Sequence, residues 1–173
     1  GLTKEFEWQR DCLEKLTRPY VCLIGNHDCL ATGEYVFKKI FGDINFAFTA
    51  GKTRFVCLNT NSREFDHTTS VPDFSFIKEQ QEIFPAEAVN TVAAMHAPPT
   101  SEQFDNNISP YFEYELLSFP NLLCCIHGHT HHNSAKALFG DGNIYYGVAS
   151  ASKLSYYIFT VFPEGYTYET IDC

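Results

Sequence analysis

LLCCIHGHTHH, residues 122–132, passes from an apolar run straight into a turn crowded with imidazoles. Leu122–His127 is short, continuous and apolar, the pattern of a strand covered on both faces as in a parallel sheet. Gly128 permits a tight turn, and His129 and His131 follow at a spacing that suits chelation. Working outward, the same order recurs twice. Tyr20–Ile24 predicts a buried parallel strand ended by Gly25-Asn26-His27-Asp28, and Val89–Met95 predicts another ended by His96. His27, His96, His129 and His131 therefore all follow apolar strands at their carboxyl ends, the edge where open α/β sheets gather ligands.

Helical stretches separate these strands. Residues 3–17 place Phe6, Leu13 and Leu16 near one face with Thr3 as cap, and Thr32–Phe41 and Phe76–Phe84 read as further helices. Pro110–Phe119 has Ser109 as cap and Pro110 at the first helical position. Asn45–Thr49 and Thr53–Asn59 form a hairpin around Ala50-Gly51. After residue 132 the pattern changes to short strands, Ala135–Phe139, Asn143–Ala149, Ser155–Phe162 and Tyr166–Ile171, read as an antiparallel run. Alternation followed by a run of strands predicts a layered α/β domain across residues 1–173, without linker or repeat.

Composition narrows the function. The chain has 173 residues, 45% hydrophobic, 16% aromatic and 19% charged, enough for one packed core. Twelve Lys and Arg against 21 Asp and Glu give a net charge of -9, the wrong sign for a nucleic-acid scaffold. No apolar run reaches the roughly 20 residues of a membrane span. Seven cysteines, an odd number with no C-x-x-C pair, exclude a complete disulfide framework and suit a reducing, cytoplasmic setting. Cys22, Cys57, Cys124 and Cys125 sit in apolar runs and read as buried hydrophobes. No nucleophile elbow or Cys–His signature supports a metal-free hydrolase.

Asn26 with the four histidines offers nitrogen and oxygen donors of the kind that suit Zn, Mn or Fe. Each has an ordinary alternative: His96 as a loop histidine, and Gly25–Asp28 as a plain turn. Cys29 reads as a small loop residue, His127 as packed at a strand end, and His132 as solvated. The loop 60–74, with Asp66, His67 and Asp73, reads as a polar insertion, and Tyr156-Tyr157 as core plus surface. The three motifs in this order, each after a predicted strand, favour a metal site.

PYVCLIGNHD at 19–28, INFAFTAGKTRFVCLNTN at 44–61, VAAMHAPP at 92–99 and LLCCIHGHTHH together resemble the calcineurin-like metallophosphoesterases. The resemblance implies a sandwich of mixed β-sheets flanked by helices, and hydrolysis of phosphate esters with two divalent cations (Mn, Fe or Zn). It implies Asn26, His96 and His129 as ligands of one metal and His131 of the other. His27, beside Asn26 at the substrate phosphate, is then the general acid or charge stabiliser, oriented by Asp28. Two cations also explain how an acidic protein takes an anionic substrate.

The departure from the family pattern is equally clear. No Asp-x-His or Gly-Asp-x-x-Asp precedes Gly25; the Gly-Asp pairs are Gly42-Asp43 and Gly140-Asp141, both downstream. The expectation is a domain lacking the family's first βαβ unit, with at most one well-held metal and impaired activity. The alternative is a catalytically inactive metal-binding or interaction module. A vacated sheet region predicts self-association through Tyr20–Ile24 or by exchange of the 3–17 helix.

Overall fold

Neighbouring residues on the central strands face different layers, and this decides the architecture. The computed structural model describes residues 2–62 and 70–173. Its strands are β1 Phe46–Ala50, β2 Thr53–Leu58, β3 Asn90–Met95, β4 Leu122–His127, β5 Ser134–Lys136, β6 Tyr145–Gly147, β7 Ser155–Phe162 and β8 Gly165–Asp172. Its helices are α1 Thr3–Leu13, α2 Gly33–Phe41, α3 Phe74–Glu82 and α4 Ser109–Leu117. Six strands form one sheet in the order β1-β2-β3-β4-β6-β5, and β7 and β8 pair alone.

Ala93, Cys125 and Tyr145 point to one face, where Ile77 of α3 and Phe112 and Leu116 of α4 bury them. Val92, Cys124 and Tyr146 point to the other, against Tyr157 and Phe159 of β7 and Tyr166 of β8. The result is helices, sheet and hairpin in three layers, a mixed α/β sandwich as expected. A strand covered on both sides needs a continuous apolar run, and LLCCIH supplies it. On the hairpin, Tyr156 is exposed while Tyr157 packs edge-on to Tyr146 at 5.9 Å.

Four expectations need correction. Tyr20–Ile24 joins no ladder among the described residues, and Tyr20 and Val21 are 42% and 53% exposed. An apolar run becomes a strand only beside a partner, and the antiparallel β1–β2 hairpin holds this end of the sheet. Ile24 alone of the run is fully buried, packed with Phe6 of α1 and Phe37 of α2. Second, β6 pairs with β4 in parallel, because β5 returns on its outer side. The chain after residue 132 is thus not uniformly antiparallel. Third, α1 ends at Leu13 and Leu16 is exposed; Leu2 rather than Thr3 is the cap, and its N–H donates to Glu5 Oε2 at 2.8 Å. Fourth, Ile108 rather than Ser109 caps α4.

Asp73, from the long polar loop, caps α3 by accepting from the N–H groups of Ser75 and Phe76. Asp66 and His67 of that loop lie outside the described residues. Cys12, Cys22, Cys57, Cys124, Cys125 and Cys173 are free, and Cys22 is half-buried rather than buried. Among the described residues no helix is long and apolar enough to cross a membrane.

Candidate metal centre

The parallel strands deliver their histidines to one edge. His96 follows β3 and lies in a slot between two glycines from different motifs. A Cβ at Gly25 would stand 3.2 Å from His96 Cε1, and one at Gly128 would stand 3.2 Å from His96 Nδ1. A side chain at either position would crowd the ring by a few tenths of an ångström. This corrects the role expected of Gly128, whose backbone is not left-handed. The left-handed residues are His129 (φ 65°) and His131 (φ 58°), which carry the turn with side chains in place. Such backbone is costly for a non-glycine residue and is concentrated at functional sites.

Asn26 is buried and its Oδ1 lies 3.0 Å from His96 Nε2. The His96 and His129 rings meet edge-on with centroids 5.3 Å apart. Burial, then the neighbouring His129, His131, His27 and His127, lowers the His96 pKa to about 4, so this imidazole is neutral at physiological pH. A neutral ring is what a metal requires. His27 is exposed in a 3-10 turn, His27–Cys29, that opens directly after Asn26. Asp28 Oδ2 accepts from the Gly25 N–H at 2.9 Å, so it ties the ends of that turn. Its carboxyl pKa is raised, chiefly by burial.

Side chains further back hold the edge together. Thr60 Oγ1, just past β2, accepts from the Ala97 N–H at 3.1 Å and fixes the exit from β3. Asn61 Nδ2 donates to Ile24 O at 3.0 Å and to Asn59 Oδ1 at 2.9 Å, tying the end of β2 to the chain entering Gly25. His127 is buried with Nδ1 2.8 Å from Gly128 O, and Cys29 Sγ donates to Gly25 O at 3.4 Å; both are structural, as expected. His132 is exposed.

One residue of the site escaped the sequence reading. Glu102 Oε1 lies 2.9 Å from His129 Nε2. No spacing rule links a glutamate in the Pro-rich loop to a histidine after a different strand.

Asn26, His96 and His129 form a chain of contacts rather than a closed cage. Among the described residues no three His, Cys, Asp or Glu side chains converge in the manner of a ligand set. The donor chemistry nonetheless fits a borderline divalent cation: an amide oxygen, a neutral half-buried imidazole and a second imidazole at one sheet edge.

A family model for calcineurin-like phosphoesterases matches residues 3–133. No curated protein matches the chain. The matched span runs from α1 through the His129 turn and includes every residue of the candidate centre. With its mixed sheet flanked by helices and a family match over more than half of its length, the chain belongs to the calcineurin-like phosphoesterase family.

Proposed function

We propose that this chain hydrolyses phosphate esters with a divalent cation (Mn, Fe or Zn) held by Asn26, His96 and His129. The observation that carries the reading is the contact of Asn26 Oδ1 with the neutral His96 ring beside His129, at the carboxyl edge of a parallel sheet. When bound, the cation supplies positive charge to an otherwise acidic protein and polarises a phosphoryl oxygen. His131, two residues past His129 and exposed, would hold a second cation. His27, exposed on the same edge, passes a proton at the leaving oxygen or stabilises charge there. Asp28 keeps the turn closed so that Asn26 and His27 stay aligned toward the substrate.

Aryl phosphomonoesters and diesters with added Mn or Zn provide the assay. The expected result is weak turnover that chelation abolishes and that His27→Ala lowers by about a hundredfold. Turnover indifferent to both His27→Ala and His129→Ala overturns the assignment of the site. The absence of a closed carboxylate cage among the described residues favours a second reading, a metal-binding module without catalysis. Metal binding without turnover on any of these esters selects it.

Self-association is part of the same proposal. Tyr20 and Val21 are exposed, and a cavity of about 360 Å³ opens between Tyr20–Cys22 and Ile40, Phe41 and Phe46. A segment that joins no ladder among the described residues offers its N–H and C=O groups to another copy. Sedimentation at tens of micromolar should show a dimer that Val21→Lys dissociates. A monomer under those conditions disproves this part.

A further inference from the structure

We propose that Glu102 is a positioning residue that fixes which nitrogen of His129 serves a metal. The proposal rests on the metal-centre reading above and concerns a residue that carries none of the family motifs. Glu102 Oε1 accepts a hydrogen bond from His129 Nε2 at 2.9 Å. An ionised carboxylate has no proton to give, so Nε2 carries the hydrogen and the ring lone pair belongs to Nδ1. A metal-ligating histidine is oriented and made more basic by such a partner on its other nitrogen.

The Glu102 side chain is 75% exposed against 11% for His129, and an exposed pair alone would be a weak restraint. Here the backbone on both sides of Glu102 is clamped. On one side, Asn106 Oδ1 accepts from the Thr100 N–H at 2.7 Å, and Asn106 Nδ2 donates to Ser101 O at 2.8 Å. Ser109 Oγ, at the start of α4, donates to Asn106 O at 3.0 Å and anchors that loop to the helix. On the other side, Gln103 O accepts from both the N–H and Oγ of Ser62, at 3.0 and 3.1 Å. Thr100 is held in the left-handed region at φ 75°, a conformation that a threonine adopts only under restraint. The loop is therefore bent and pinned so that the Glu102 carboxylate meets His129. A cavity of about 390 Å³, lined by Thr100, Ser101, Glu102, His129 and Thr130, opens beside the pair.

The test is made on the full chain with Zn(II), and with cadmium as the NMR probe. Calorimetry should show Zn(II) affinity falling about tenfold in Glu102→Ala. Glu102→Gln, which keeps an acceptor oxygen without the charge, should fall between that variant and the wild type. Long-range nitrogen–proton NMR should place the metal on Nδ1 of His129 and the proton on Nε2, with that proton exchanging faster in Glu102→Ala. Metal on Nε2, or affinity and proton exchange unaltered in Glu102→Ala, overturns the role of Glu102 alone. A wild type that binds no metal overturns the metal-centre reading and this inference with it.

Discussion

Glu113→Ala should lower stability by about 3–5 kcal/mol, because two buried donors lose their acceptor and a cavity opens. Glu113 is buried on α4, where Oε1 accepts from Asn143 Nδ2 at 2.8 Å and Oε2 accepts from the Tyr145 O–H. Tyr145 is a fully buried member of β6, and alanine leaves its phenol only the weak sulfur acceptor of Cys125. Asn143 Nδ2 keeps only the weak acceptor Cys125 Sγ at 3.4 Å. For a domain of this size the fall corresponds to roughly 10 °C or more in Tm, measurable by calorimetry.

The same carboxyl group gives the stability a pH dependence. Burial raises the Glu113 pKa, the Tyr145 and Asn143 donors pull it back, and Asp141 adds to the rise. A carboxyl that binds its proton more tightly in the folded state stabilises most below its unfolded pKa of about 4.3. That contribution is lost as pH rises through the folded value. Glu113→Gln removes the titration, so its stability curve should lack this downward slope. Equal slopes in variant and wild type would show that Glu113 binds its proton equally well in the folded and unfolded chain.

His96→Ala should reduce divalent-metal affinity by at least roughly a hundredfold, more than loss of an outer partner, and turnover by about two to three orders of magnitude. The ring touches Asn26, abuts His129 and fills the slot left by Gly25 and Gly128, so no neighbour can replace it. Gly25→Ala and Gly128→Ala test the slot itself: each Cβ must push the ring by a few tenths of an ångström, with a smaller loss of affinity in the same direction. Titration calorimetry with Mn(II) or Zn(II) reads all three. Unchanged affinity in His96→Ala would place the cation elsewhere on the molecule.

Much of the architecture could be read from local pattern. β4 and β7 begin and end where their apolar runs do, and the β1–β2 hairpin turns where Ala50-Gly51 marks it. These elements are specified by periodicity and turn chemistry, which are properties of neighbouring residues. Tyr20–Ile24 has the same local pattern and forms no ladder, because pairing depends on a partner that composition cannot supply. The direction of β6 was misread for a related reason: whether a short strand runs with or against its neighbour depends on where β5 is laid down. At the site, the strand-end histidines could be read because each motif carries its own turn. The reason for Gly128 could not, since it lies in a ring that follows a different strand. Glu102 was hidden likewise, as its partner comes 27 positions later.

Cys124 and Cys125 stand side by side on β4 yet are sealed into different layers, one under the hairpin and the other under the helices. Burial raises both thiol pKa values, that of Cys124 to about 12, so neither reacts until its cover lifts. Adjacent in the chain, they are independent reporters: alkylation of one tracks departure of β7–β8, and alkylation of the other tracks departure of α3 and α4. Mass spectrometry of one short peptide then distinguishes a molecule that sheds its outer hairpin from one that opens its helical side, and so tells whether the layers part together or in sequence.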